Sequence, residues 1–277
     1  MKNKYIKLYI PILCFIGSIS LLSAEPIRIM PLGDSITYDN RVADLTNPRP
    51  RGERTAYRSH LWYSLQDAQY SADFVGSQRA GENIIPPFDP DNEGHPGWGF
   101  DDIGQNILTY LNHSKPNIIL LHIGTNNGSS SSPYGMNLIL DEINYYKLTV
   151  DSNLRVIIAL IINTQDNDPI TRTLNKRLNQ LLTERIISGE EIEIVDMYRG
   201  ANLTSQDYSD RYHPTDNGYK KMANLWLNTI ISPKPNFSLY SYPYTHINKY
   251  DIESITVDGN TNTVYYITDV PDNGITF

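Results

Sequence analysis

Ile27-Arg28-Ile29-Met30-Pro31-Leu32-Gly33-Asp34-Ser35-Ile36-Thr37 is the stretch on which the reading of the chain turns. Ile27, Ile29, Met30 and Leu32 suit a buried strand, and Gly33 permits the sharp exit such a strand needs. That arrangement presents the Ser35 hydroxyl at the carboxyl end of a strand, where open α/β sheets keep their ligand crevices. A serine so placed is a candidate nucleophile, provided that a base and an oxyanion site lie elsewhere. Asp34 and Ser35 also have a plainer use, as caps of the following helix. The rest of the chain has to decide.

Upstream, Lys2, Lys4 and Lys7 precede an apolar run from Tyr9 to Leu22, and Ser23-Ala24 offers a small-residue cleavage site. This predicts a secretory signal peptide over residues 1–24 and export of the remainder, secreted or periplasmic. The run is short for a retained spanning helix. Cys14 is the only cysteine and lies inside it, so the mature chain must stabilise itself by core burial without disulfides. The chain carries 23 basic and 31 acidic residues, and loss of the three lysines takes the net charge from −8 to −11. An acidic surface disfavours nucleic acid and anionic membranes as partners. It leaves neutral carbohydrate open.

Downstream, Tyr38 to Thr55 reads as an irregular loop in which arginines alternate with Asp39, Asp44 and Glu53, as on a solvated face. Ala56 to Gln69 has helical apolar spacing, and Ala72 to Gly76 reads as a short strand. Ser77 to Trp98 is a long Pro/Gly/Asp-rich loop. Asp89, Asp91 and Glu93 alternate there like calcium ligands, but the rest of a calcium loop is missing, and no metal is expected. Asn117 to Ile123 is a nearly continuous apolar run, the pattern of a central parallel strand covered on both faces. Arg155 to Ile162 and Ile192 to Asp196 repeat it, with helical stretches over Ile103–Leu111, Tyr134–Val150 and Ile170–Ile187. Strands alternating with helices predict a three-layer α/β/α sandwich around a parallel, flavodoxin-like sheet. Ser232-Pro233-Lys234-Pro235 marks a boundary. The expected organisation is a hydrolytic domain over 25–232 and a Tyr-rich β-hairpin tail over 233–277, with a turn at Asp258-Gly259-Asn260.

Acyl transfer by serine needs a base, a carboxylate to orient it, and donors aimed at the developing oxyanion. His213 is the candidate base, and Asp210, three residues earlier, can reach its Nδ1. For the oxyanion, the Gly97 N–H is unshielded by a side chain, and the Asn126 amide sits at the end of a central strand. Each has a structural alternative, as a loop histidine, a turn glycine or a turn asparagine. His122, in an apolar strand, reads as a satisfied core histidine. His95 and Trp98, beside Gly97, and Asp34, beside Ser35, are candidates for lining the substrate site.

Taken together, Gly33-Asp34-Ser35-Ile36-Thr37, Gly97 within His95-Pro96-Gly97-Trp98, Gly124-Thr125-Asn126 and Asp210-x-x-His213-Pro214 resemble the SGNH (GDSL-type) hydrolases. The finer pattern is similar to carbohydrate esterase family 3, the acetylxylan esterases. It adds Tyr57-Arg58, Phe74-Val75-Gly76-Ser77, Glu93-Gly94 and Thr215-Asp216-Asn217-Gly218-Tyr219, and runs from Ile27 to about Ile231. The resemblance implies Ser35 as nucleophile, His213 as base and then acid, and Asp210 as its orienter. The Ser35 and Gly97 N–H groups and the Asn126 side chain would form the oxyanion hole. Asn127 stands where that family usually has Asp, at a position expected to be structural. The Gly-x-Ser-x-Gly elbow of the α/β-hydrolases is absent around Ser35.

The expectation is therefore an exported serine esterase that removes short acyl groups, acetyl foremost, from carbohydrate and needs no metal or organic cofactor. Its specificity is expected in the loops Tyr38–Thr55 and Ser77–Trp98. The rivals are the same chemistry on lysophospholipid, acyl thioester or acetylated peptidoglycan, or a non-catalytic carbohydrate-binding protein.

Overall fold

The computed structural model describes residues 25–127, 132–234, 255–257 and 260–262. The expected signal peptide, and most of the tail, lie outside the described residues. Nine strands and seven α-helices are found among the described residues: β1 (Ile27–Gly33), α1 (Ser35–Tyr38), α2 (Ala56–Asp67), β2 (Ala72–Phe74), β3 (Gln78–Arg79), β4 (Asp91–Gly94), α3 (Phe100–Ser114), β5 (Ile118–His122), α4 (Met136–Thr149), β6 (Arg155–Leu160), α5 (Pro169–Ile187), β7 (Ile192–Asp196), α6 (Met197–Gly200), α7 (Asp216–Ile231), β8 (Ile255–Val257) and β9 (Asn260–Asn262).

The main sheet runs β3-β4-β1-β5-β6-β7, with β2 also paired to β1. Its pairs are parallel except β3 with β4. Without β3 and β4 the order is β2-β1-β5-β6-β7, the flavodoxin-like order expected. The chain steps to one side of β1 for β2 and to the other for β5, so the topological switch point lies between β1 and β5. Ser35 follows the first of these strands and Asn126 the second, which puts both at the crevice such a switch opens.

Burial follows the pleat. Met30, Leu32, Ile119, Leu121, Val156, Ile158 and Leu160 face a core shared with α3, α4 and α5. Ile29, Ile118, Leu120, Ile157 and Ala159 face the other core, shared with α2 and α7. Each such Val, Leu, Ile or Met side chain contributes about 1.5–3 kcal/mol by leaving water, which is how a sheet covered on both faces holds without disulfides. Trp226 of α7 is fully buried, 6.0 Å from Tyr57 of α2.

Three expectations need correction. The Ser77–Trp98 stretch is not loop throughout, because β4 inserts beside the upper end of β1, with Leu32 opposite Glu93 and Gly33 opposite Gly94. The Tyr38–Thr55 loop is solvated only in part: its residues 45–48 are exposed, but its charges are not all on a solvated face. Asp39, Asp44 and Arg54 are buried, and Arg49 bridges both carboxylates at 3.0 and 2.8 Å. Gly33 is needed for a different reason than the exit from β1. A Cβ there would lie 2.2 Å from the His122 carbonyl oxygen, so the glycine lets β1 and β5 pair. In the tail, Ile255–Val257 pairs antiparallel with Asn260–Asn262. The expected return strand, Val264 to Ile267, is outside the described residues.

Candidate active site

Ser35 is the first residue of α1, where an N–H has no intrahelical acceptor. Asp34 caps that helix, its Oδ1 accepting the Ile36 N–H at 2.9 Å. The other end of α1 is held by Arg58, which is fully buried and donates to the carbonyls of Thr37 at 2.9 Å, Tyr38 at 3.4 Å and Arg54 at 2.9 Å. It also reaches Ala80 at 3.0 Å and Pro90 at 3.2 Å. Five carbonyls thus stand in for a counter-ion, and burial lowers its pKa to about 10. This is the physical content of the Tyr57-Arg58 pair: it ties the serine turn to α2 and to the strands beyond.

Ser35 Oγ lies 2.8 Å from His213 Nε2, across 178 residues of chain. His213 Nδ1 lies 2.8 Å from Asp210 Oδ1 and 3.0 Å from Oδ2. Asp210 also accepts the N–H groups of Tyr212, His213 and Val42, at 2.9, 3.0 and 2.9 Å. Burial pushes its carboxyl up, but these donors outweigh it and hold the group below its usual range. The segment is closed on itself: Ser209 donates through N–H and hydroxyl to the His213 carbonyl at 2.8 and 3.0 Å. Asn217 and Lys221 clamp Asp207 at 2.6 and 2.8 Å, and a Cβ on Gly218 would meet the Asp207 carbonyl at 2.5 Å. The His213-to-Tyr219 run therefore builds the loop that carries the histidine.

The two remaining oxyanion candidates come to the same end of the sheet. Gly97 is exposed, with a φ of +86° that disfavours any side chain. Asn126 is exposed, and its Nδ2 donates one hydrogen to the Trp98 carbonyl at 2.9 Å, which leaves the second free. Asn127 Oδ1 accepts the Phe100 N–H of α3 at 3.3 Å, an acceptor role that asparagine fills as aspartate would.

Of the three residues expected to line the substrate site, Asp34 and His95 are buried and Trp98 is half-buried. Asp34 is fully buried beneath the serine, and burial, opposed in part by the Ile36 N–H and Thr125, raises its pKa to about 7. His95 is buried, bonded to Glu93 Oε1 at 2.6 Å and stacked between Trp98 and Tyr110. Trp98 is half-buried against that stack. A pocket of about 350 Å³ is walled by Ile36 and Tyr212, the chain neighbours of Ser35 and His213, with Thr125, Ile161–Thr164, Asp168, Ile170, Thr171 and Arg211. The signal for it was the polar turn Asn163–Asp168 at the carboxyl end of β6, the same end as Ser35. His122 accepts the Ile162 N–H through Nε2 at 3.2 Å, its Nδ1 has no partner among the described residues, and burial lowers its pKa to about 4. The carboxylates of Asp89, Asp91 and Glu93 turn to separate partners: the Phe74 N–H, Arg79 and Ser77.

The model of the GDSL-like lipase/acylhydrolase family matches residues 29–226, a span that takes in Ser35, Gly97, Asn126, Asp210 and His213. The chain belongs to this family. A multidomain esterase of Ruminococcus flavefaciens is 28% identical over 256 residues, covering 78% of this chain and 31% of that protein. The chain thus spans about a third of the length of this relative. The solved family 3 carbohydrate esterase of Clostridium thermocellum is 29% identical with a TM-score of 0.61, over 74% of this chain and 94% of that one. An acetyl esterase mutant, solved with an acetate ion, is 26% identical with a TM-score of 0.60, over 74% of this chain and 96% of that one.

Proposed function

We propose that this GDSL-family protein is an exported serine esterase removing short acyl groups, acetyl foremost, from carbohydrate. The observation that carries the reading is the unbroken hydrogen-bonded line Ser35–His213–Asp210. Ser35 Oγ attacks the ester carbonyl carbon while its proton passes to His213 Nε2. Asp210 holds the ring by Nδ1 and steadies the imidazolium. The N–H groups of Ser35 and Gly97 and the second Nδ2 hydrogen of Asn126 take the oxyanion. Collapse expels the sugar oxygen, which receives the proton from His213, and the acyl group stays on Ser35. Water, deprotonated by His213, then attacks the acyl-enzyme and releases the acid.

The pocket that Ile36 and Tyr212 help to line is mixed, with Thr125, Asn163, Thr164, Asp168, Thr171 and Arg211 beside Ile36, Ile161, Ile162 and Ile170, and its polar side chains offer partners to sugar hydroxyls. The carbohydrate esterase and the acetyl esterase among the similar structures support that substrate class, and the apolar run Tyr9–Leu22 behind three lysines supports export. The test is hydrolysis of p-nitrophenyl esters from acetate to decanoate, with Ser35→Ala as control. A steep acetate preference is expected. Preference for long chains points to a lipase or thioesterase, and a folded protein inert on every ester points to a binding protein.

A further inference from the structure

We infer that Glu93 is a positioning residue for the oxyanion site, acting through His95 and Trp98 on Gly97 and Asn126. The inference rests on the oxyanion roles proposed above.

Glu93 is fully buried. Its Oε2 accepts the Ser77 N–H at 2.6 Å, and its Oε1 accepts the Ser77 hydroxyl and faces His95 Nε2, each at 2.6 Å. A buried carboxylate is costly unless its lone pairs are filled, and packing alone would be served as well by an apolar residue. What a carboxylate adds is direction. It fixes the plane and the roll of the His95 ring.

That ring is the middle of a stack. Trp98 lies on one side with centroids 4.0 Å apart, Tyr110 of α3 on the other at 5.2 Å, and both planes are within 15° of it. The Trp98 N–H closes the turn onto the His95 carbonyl at 3.2 Å. Gly97 sits inside this turn, and nothing lies within 4 Å of where its Cβ would be. With no packing on the glycine, the aim of its N–H is set by the residues on either side. Trp98 carries the constraint onward, because its carbonyl takes one Asn126 Nδ2 hydrogen at 2.9 Å and so aims the other. One buried carboxylate thus bears on two donors that come from different strands.

The experiment is a double-mutant cycle of Glu93→Gln with Asn126→Ala, read as kcat and KM on p-nitrophenyl acetate per active site titrated with a serine-reactive phosphonate. Titration removes any difference in folded fraction, which is all that a merely structural Glu93 would change. Asn126→Ala is expected to lose about 10²-fold in kcat. Glu93→Gln removes the charge and one acceptor oxygen, so that Ser77 and His95 must re-pair. It is expected to lose about tenfold or more in kcat with KM nearly constant, since sub-ångström misplacement is felt on this scale. The double variant should lose less than the product of the two, because both act on one group. Wild-type kcat per site in Glu93→Gln, or fully multiplicative losses, overturns the positioning role and leaves the oxyanion assignment standing. Wild-type kcat in Asn126→Ala overturns that assignment, and this proposal with it. If Glu93→Gln fails to fold, His95→Phe takes its place, since it keeps the stacked ring and removes the nitrogen that Glu93 holds. The same losses are expected of it.

Discussion

The backbone N–H of Val42 lies 2.9 Å from Asp210 Oδ2, across 168 residues of chain. The loop that follows the serine turn therefore supports the carboxylate that orients the histidine. Val42 opens a short 3₁₀ turn, and Arg41 before it is extended at φ −86°, ψ 164°, the conformation a residue takes before proline. Val42→Pro thus removes the donor with little strain. A hydrogen bond to a charged group is worth about 1.5–3 kcal/mol, so kcat is expected to fall about tenfold or more, with the melting temperature nearly unchanged. Val42→Ala keeps the N–H and serves as the control. Equal kcat in the two variants would remove Val42 from the site.

The same loop is closed by ions. Burial pushes the carboxyls of Asp39 and Asp44 up, but the Arg49 guanidinium outweighs it and holds both below the usual range. Arg54, also buried, lies 3.2 Å from Asp44 Oδ2. Removing one member of such a cluster strands the others, at about 3–5 kcal/mol. Asp44→Ala should show a loss of that size in urea unfolding, together with a fall in kcat as Val42 loosens. Because the folded pKa values are depressed, this stabilisation is present above about pH 4 and is lost as pH falls further. An Asp44→Ala protein as stable as wild type would show the cluster to be idle.

The four long parallel strands were legible because each is an apolar run, and Ser35, Asp210 and His213 because their chemistry is specific. β4 was not, since Asp91-Asn92-Glu93-Gly94 has no apolar period. Its buried polar atoms are satisfied by partners that only the folded chain supplies, Glu93 by Ser77, 16 residues away, and Asn92 by the nearby Pro90 carbonyl. The Tyr38–Thr55 loop failed for a related reason. Alternating charges look the same whether water or an opposite charge faces them, and only the fold brings Arg49 onto Asp39 and Asp44. The pocket wall was missed because attention fell on the long loops, whereas a short turn after β6 supplies much of that wall.

Gly33 and Gly97 look alike in sequence and should fail differently. A Cβ on Gly33 would lie 2.2 Å from a backbone oxygen of β5 and 2.5 Å from Thr37 Oγ1, so Gly33→Ala must part the strands. It is expected to cost about 3 kcal/mol or more, seen as a lower melting temperature. On Gly97 the Cβ meets nothing, and only the φ of +86° opposes it. Gly97→Ala should stay folded, within about 1–2 kcal/mol of wild type, and lose kcat as its N–H turns. If Gly97→Ala kept full kcat, its place among the donors would be lost.

Asp34 sets a pH dependence of stability. Burial, countered in part by the Ile36 N–H and Thr125, raises its folded pKa from 3.8 to about 7. Between those values the native carboxyl keeps its proton while the unfolded one has lost it, so the native state binds more protons and stability falls as pH rises. The contribution is full below the unfolded value and is gone once pH has passed the folded one. Asp34→Asn is isosteric, keeps the Oδ1 acceptor for Ile36 and cannot ionise. Urea midpoints of wild type and Asp34→Asn, measured at about pH 5 and about pH 8, isolate the effect from every other titrating group. Wild type should lose more stability than the variant between the two, and parallel changes would mean that Asp34 is ionised in the folded protein throughout.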